Sequence, residues 1–425
     1  MGSFGSVLKP FMKEVHESAS ETGRRFRSPM SLPRSYLPVK VKVLIADDSS
    51  FMRGALSRMV ESDDSLCVVG TAETGLETLV KIGTLHPDVV TLDIDMPGLS
   101  GLETLRRVML ESPLPVIIVS STARRGAEDT LEALALGAFD CIAKQLSYDS
   151  VDVLKVQSEL VGMIKAAAGP RLPNSLLLGS LDRPPLRPNP NHITPGYADR
   201  ACIDPTYVDP AYIDPAYVEP ARRAPAIGVT VPSIIAIGAS TGGPKALQEV
   251  LSALPADLSA GILIVQHMPI GFIKPLAKRL NDICPLTVHE AEAGDVFTAG
   301  HVYFAPTGRH LTVRRLSSSE VVLHLSVLPG DLANVPSVDV MMSSVAEVFG
   351  PSAMGIILTG MGDDGTLGMQ AICREGGLTL GQDQATCVIY GMPRSCAQMG
   401  VLSQVVPLPE VARSILAALR YRKPH

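Results

Sequence analysis

No apolar run in the 425 residues approaches the ~18 that a membrane-spanning helix needs, so nothing in the sequence predicts a transmembrane span. An N-terminal apolar core of the secretory type is missing as well. The chain lacks a basic excess: its formal net charge of -6 argues against bulk nucleic-acid binding. Its 7 cysteines form no CxxC pairs and lie away from histidine clusters. That excludes a disulfide framework and predicts reduced thiols in a cytoplasm. What is present is apolar content, 46% of the chain, ample for real cores, and a length that predicts two or three domains.

Residues 1–38 lack sustained periodicity, are modestly basic and carry Pro29, Pro33 and Pro38; they read as a disordered tail. Met1-Gly2 with Ser6 fits the myristoylation pattern, but that pattern is short and common. From Val39 the texture changes. Apolar runs at Val41 to Ala46, Cys67 to Val69, Val89 to Leu92, Val116 to Val119 and Cys141 to Ala143 alternate with five helical patterns, the last over 151–167. The alternation predicts a doubly wound parallel sheet, which binds ligands outside the carboxyl ends of its strands. Asp47, Asp48, Asp93 and Asp95 gather at that edge, with Ser120 and Lys144 ending the fourth and fifth strands. Converging carboxylates repel, and a divalent cation with oxygen ligands relieves them.

Asp47-Asp48, the stretch Leu92 to Pro97 with Gly101, Ser120 and Lys144 make residues 40–165 resemble the response-regulator receiver domain. The resemblance implies a flavodoxin-like receiver over 39–168. It implies Asp93, not Asp95, as phosphoacceptor, Mg2+ held by Asp47, Asp48 and Asp93, and a switch through Ser120 and Lys144. Gln145 departs from the proline usual after that lysine.

Residues 169–230 read as a proline-rich linker. Between Cys202 and Ala221 a Tyr-x-Asp-Pro unit repeats with a five-residue period, as in Tyr207 to Pro210 and Tyr212 to Pro215. Prolines so spaced prevent a helix, so the stretch should be extended and acidic, a spacer or a partner-docking strip.

Residues 231–425 are again α/β, with strand patterns at Ser233 to Ile237, Gly261 to Gln266, Val302 to Ala305, Met354 to Leu358 and Leu378 to Leu380. His310 to Arg314 and Val321 to Leu325 alternate around a Ser-rich turn and predict an antiparallel hairpin. The first strand runs into Gly238-Ala239-Ser240-Thr241-Gly242-Gly243 and then a helix. That GxSxG turn suits a serine nucleophile; equally, it could bind a phosphate at the helix start. His267 directly follows the second strand, whereas His289, His301, His310 and His324 do not so clearly end parallel strands. After Met354 to Leu358 comes a glycine-dense turn holding Asp363 and Asp364, either of which could orient the histidine or cap the helix.

The stretches Ile237 to Gly243, Gln266-His267-Met268, Ala305-Pro306 with His310-Leu311, Ser337 to Val340, Leu358 to Gly365 and Gly391 to Arg394 resemble the chemotaxis protein-glutamate methylesterases, the CheB family. That family also pairs an N-terminal receiver with the catalytic domain. The resemblance implies a triad of Ser240, His267 and Asp364, with Thr241 and the Met361 N–H in the oxyanion hole. The implied substrate is a glutamate methyl ester on the cytoplasmic domain of a chemoreceptor, with receptor glutamines deamidated by the same chemistry. A histidine kinase as phosphodonor, a receiver that covers the cleft, and no cofactor for the ester reaction are implied too. Two rival readings are a transcriptional response regulator and a catalytically silent, phosphorylation-gated binding module. The first lacks a basic recognition helix in its second domain.

Overall fold

The structure, a computed structural model, describes residues 40–120, 124–144, 150–169, 231–317, 320–328 and 334–420. The expected tail, the myristoylation pattern, the Tyr-x-Asp-Pro repeat and Gln145 lie outside the described residues.

Five short runs rich in β-branched residues form the first sheet: β1 (Val41–Ala46), β2 (Leu66–Ala72), β3 (Val89–Asp93), β4 (Val116–Ser120) and β5 (Asp140–Ala143). Between and after them come α1 (Ser50–Glu61), α2 (Gly75–Leu85), α3 (Gly101–Glu111), α4 (Arg124–Ala135) and α5 (Ser150–Ala168). Helix starts are set by side chains that satisfy free N–H groups. Ser49 accepts from Met52 N–H, Thr74 from Glu77 N–H, and Ser100 with Glu103 closes a capping box. All strands pair in parallel in the order β2-β1-β3-β4-β5, the flavodoxin-like winding expected. The sheet is buried on both faces, Val43, Ile45 and Val119 packing one way and Leu44, Leu92 and Ile118 the other.

The second sheet is larger. Its strands are β6 (Ile234–Ala239), β7 (Gly261–Gln266), β8 (Thr287–Glu290), β9 (His301–Phe304), β12 (Ala353–Ile357), β13 (Leu378–Gln382) and β14 (Gln404–Val406). Every pairing is parallel, in the order β14-β13-β12-β6-β7-β9-β8. The expected hairpin is present as β10 (His310–Arg315) and β11 (Val321–Ser326). It forms its own two-stranded sheet rather than extending the parallel one. β8 and β14 had no sequence expectation, because edge strands of three or four residues are too short to show a repeating apolar pattern.

Helices cover both faces. Ile235, Ile237 and Ala239 of β6 pack under α6 (Gly243–Ser252), α7 (Ile273–Ile283) and α11 (Leu408–Ala418). Ile234 and Ala236, one residue out of phase, face α8 (Val338–Phe349), α9 (Thr366–Arg374), α10 (Met392–Met399) and the hairpin. The strand order turns outward in both directions from β6 and β12, and a crevice opens where that reversal occurs.

The two sheets belong to one unit of contacts. Leu131 and Leu134 of α4 join the core beneath α6 and α7, while Met268 and Phe272 of the second domain enter the core of the first.

One glycine sets how tightly α3 starts behind the acidic edge. A Cβ on Gly101 would lie 2.0 Å from the Asp93 carbonyl oxygen, which is backbone and cannot swing aside. Gly101→Ala should destabilise the first domain by about 3 kcal/mol, the high end of overpacking costs. Thermal or urea unfolding of the variant reads this directly; an unchanged midpoint would show that the turn relaxes freely.

Candidate active site and acidic pocket

Parallel pairing brings three loops together. Ala239 pairs with Gln266, so the residues that follow, Ser240 and His267, leave adjacent strands at one edge. The His267 N–H donates to the Ala239 carbonyl at 3.0 Å. On the other side, β12 pairs with β6, and the loop after β12 carries Asp364. The Gln266 side chain ties the first two loops, its Nε2 donating to the carbonyls of Ser240 at 2.9 Å and His267 at 3.0 Å. The buried Thr359 ties the third, its hydroxyl donating to the Thr241 carbonyl at 2.9 Å. Gly242 sits at φ 77° before α6, a conformation that an L side chain would strain.

His267 Nε2 lies 2.9 Å from Asp364 Oδ2. A carboxylate there holds the proton on Nε2 and leaves Nδ1 as the ring nitrogen able to take one from a neighbour. Asp364 also accepts from the Ser337 hydroxyl, the Val338 N–H and the Asp339 N–H, at 2.9, 2.9 and 3.0 Å. Burial pushes its carboxyl up, but the His267 ring and the N–H groups of Asp339 and Val338 outweigh burial and hold it below the ordinary range. Asp363, the other candidate of the sequence, is exposed, and its backbone carbonyl accepts from Thr366.

Met361 follows Gly360, which packs directly on Ser240: a Cβ on Gly360 would lie 2.9 Å from the Ser240 Cβ. The remaining histidines are elsewhere. His289 stands in the edge strand β8 and His301 in its neighbour β9, and His324 pairs across the hairpin with Thr312. His310 is fully buried behind the site, its Nδ1 accepting from the Ser337 N–H at 3.1 Å.

The first domain reaches this site. The Asp140 carboxylate, at the start of β5, accepts from its neighbour Cys141 N–H, and from the Thr241 hydroxyl and the Gly242 N–H of the second domain. Burial pushes that carboxyl up to about 6 against those hydrogen bonds, with the Glu159 charge adding to the rise. On α5, Gly162 faces Met361 so closely that a Cβ there would lie 2.6 Å from its Sδ.

At the far end of β5, Lys144 bridges the first domain's acids, 3.0 Å from Asp47 Oδ2 and 2.6 Å from Asp93 Oδ2. Burial, with the Asp47 charge adding, pushes the Asp93 carboxyl up to about 6 even though Lys144 opposes the rise. Ser120 is buried at the end of the adjacent β4. Carboxylate oxygens of Asp47, Asp48 and Asp93 lie within 4.8 Å of one another. Three carboxylates against one lysine leave negative charge that an oxygen-coordinated divalent cation fits. Asp95 is exposed, with its N–H donating to Asp93. No described helix is long and apolar enough to cross a membrane.

In the sequence Gln266 and the Ser337 to Val340 stretch stand out only as parts of family-like segments, and Asp140, Gly162 and Thr359 carry no signal of their own. Their roles come from contacts between residues far apart in the chain, which no local spacing displays.

Fold and site together define a class: a receiver-type domain joined to an α/β domain of the esterase kind, with a serine, a histidine and an aspartate at its switch point. Comparison with known proteins agrees. The CheB methylesterase family pattern matches residues 235–415, and the response regulator receiver domain matches 43–153. A protein of Nitratidesulfovibrio vulgaris named protein-glutamate methylesterase/protein-glutamine glutaminase 2 is 46% identical over 380 residues, covering 89% of this chain and 99% of its own. A protein-glutamate methylesterase/protein-glutamine glutaminase of Halalkalibacterium halodurans is 41% identical, covering 89% and 98%. The crystal structure of the Thermotoga maritima CheB methylesterase catalytic domain is 37% identical and covers 44% of this chain and 99% of that one, with a TM-score of 0.43. The chain belongs to the CheB methylesterase family.

If the three acids hold a divalent cation, Mg2+ at about tenfold its Kd should stabilise the protein by about 1.4 kcal/mol, and Asp48→Asn should remove most of that gain. A thermal shift titration measures both. An equal Mg2+ effect in the variant would count against the ligand set.

Proposed function

We propose that this chain is a phosphorylation-regulated protein-glutamate methylesterase that also deamidates glutamine side chains, with Ser240, His267 and Asp364 as its triad. One observation carries the reading: the His267–Asp364 pair stands beside Ser240 where β6, β7 and β12 end, in a chain whose relatives bear that activity's name. The substrate is a γ-methyl ester of a glutamate on the cytoplasmic domain of a chemoreceptor, and the enzyme works in the cytoplasm.

His267 Nδ1 takes the Ser240 hydroxyl proton as Oγ attacks the ester carbonyl. The Thr241 loop and the Met361 N–H hold the tetrahedral oxyanion, each good donor worth about 3–4 kcal/mol. The same proton passes to the departing methoxide, which leaves as methanol. Water, deprotonated by His267, then cleaves the acyl-enzyme to free the glutamate carboxylate and regenerate Ser240. Asp364 keeps the tautomer and stabilises the imidazolium. With a glutamine side chain the leaving group is ammonia.

Asp93 is the phosphoacceptor and a histidine kinase the phosphodonor. Asp47, Asp48 and Asp93 would hold a Mg2+, which would supply positive charge against the phosphoryl oxygens. Lys144 and Ser120 provide further contacts to them. β5 then links the two halves of the switch. Lys144 meets Asp93 at one end, and Asp140 meets Thr241 and Gly242 at the other, about 13 Å away for four residues of strand. Movement of Lys144 toward a phosphoryl group pulls on the strand whose other end closes the catalytic loop. The receiver thereby crowds both proposed oxyanion-hole residues until Asp93 is phosphorylated. No observation favours the silent binding module over the enzyme.

Ser240→Ala should lower ester hydrolysis by about 10⁴-fold or more while leaving Asp93 phosphorylation intact. Methanol release from methylated receptor measures the first and phosphodonor labelling the second; esterase activity retained in the variant would sink the assignment. Gly162→Leu, which forces bulk against Met361, should raise the activity of the unphosphorylated protein several-fold and leave the phosphorylated rate nearly unchanged. If the unphosphorylated rate stays low, gating does not run through this contact.

A further inference from the structure

The start of α9 lacks a cap of its own. Its N-cap position is Gly365, which offers no side-chain acceptor. The acceptor comes instead from Asp339, on the first turn of α8. The Asp339 Oδ1 accepts from the Gly368 N–H at 2.7 Å, and the N–H groups of Gly365 and Leu367 also face its carboxylate. The reverse contact completes a ring. Asp364, just ahead of α9, accepts from the Ser337 hydroxyl and the N–H groups of Val338 and Asp339 at the start of α8. Each helix start is thus capped by an aspartate from the other's, 25 residues away in sequence for the Asp339–Asp364 pair. Close approach permits the exchange: a Cβ on Gly368 would lie 3.1 Å from Asp339 Cα.

Free N–H groups at a helix start favour a carboxylate, through hydrogen bonding and the helix dipole together. Asp339 uses its N–H and its carboxylate in the ring. Its N–H fixes Asp364 Oδ1, and its carboxylate fixes the turn four residues beyond Asp364. Burial raises the Asp339 carboxyl, the Gly368 N–H opposes the rise and the Asp364 charge adds to it. Asp339 lies outside the reacting groups, since its partners are backbone N–H groups and Asp364.

We propose that Asp339 is a positioning residue for the triad, holding the Asp364 carboxylate at the angle from which it grips His267 Nε2. Asp364 has only one oxygen directed at the histidine, and its other oxygen is held wholly by α8. Loss of the Asp339 carboxylate leaves three N–H groups at α9 without their acceptor and frees the turn that carries Asp364. A small displacement of an orienting group costs up to about 100-fold in rate without weakening substrate binding.

The inference rests on the esterase reading. The test compares full-length wild type, Asp339→Ala, Asp339→Asn and Ser240→Ala, all charged with phosphodonor and assayed for methanol release from methylated receptor. The expected result is a kcat lowered about 10- to 100-fold in Asp339→Ala with KM within about twofold. Asp339→Asn keeps an Oδ1 acceptor of the same shape and should recover kcat to within about threefold of wild type. A merely structural residue would lower the unfolding midpoint and leave kcat alone at temperatures where the variant is folded, so wild-type kcat in Asp339→Ala overturns the proposal. A change confined to KM overturns it too, as does an Asp339→Asn variant no better than alanine. If Asp339→Ala does not fold, Asp339→Ser takes its place, with the same expectation and the same overturning results. An active Ser240→Ala protein would instead overturn the esterase reading itself, so the two failures are distinguishable.

Discussion

The Asp364 carboxylate must stay ionised while it is largely removed from water, and much of the second domain is arranged to allow that. A buried carboxylate without partners would take up a proton and lose its hold on an imidazolium. Here four donors converge on it, three of them from the start of α8. Those donors exist only because Ser337 sits where α8 begins and because α8 packs across α9. The packing of two helices is therefore also the electrostatic foundation of the site. His310, buried and bonded to the Ser337 N–H, extends that foundation one layer deeper.

The same geometry of parallel strands is used twice. In each sheet all strands end on one edge, and polar residues that would be costly within the sheet are tolerated just beyond it. At the first edge this gathers three carboxylates and one lysine. At the second it gathers a serine, a histidine and an aspartate. β5 belongs to the first sheet, yet Asp140 at its start bonds to the loop after β6. A strand of four residues thus adjoins both groups, with Asp140 at its start on the loop after β6 and Lys144 just past its end on Asp47 and Asp93.

Much of this was legible in the sequence. Alternating apolar runs and helical spacings located both parallel sheets to within a few residues, because strands buried on both faces must be apolar throughout. His267 stood out directly after such a run, and Ser240 and the Asp363-Asp364 pair in the glycine-rich turns that follow two others. The choice between the two aspartates was open on spacing alone and closed in favour of Asp364 by family resemblance; in the structure Asp364 meets His267 and Asp363 faces solvent. The edge strands β8 and β14 escaped notice because three or four residues are too few to display a period. The hairpin was legible, but not its separation from the main sheet, since alternation reports which face is buried and not which strand lies alongside.

The sequence by itself determined the two doubly wound domains, the acidic cluster after β1 and β3, and the glycine turn that presents Ser240. Each is set by local pattern: burial on both faces, charge at a strand end, and a left-handed residue before a helix. Only the tertiary structure decided which strands are neighbours, and therefore that His267 leaves the sheet beside Ser240. It alone decided that Asp339 and Asp364 cap each other's helices, and that Asp140 and Gly162 meet Thr241, Gly242 and Met361. These contacts join residues from 25 to about 200 positions apart, and strand order and helix packing bring such residues together without leaving any trace in local spacing.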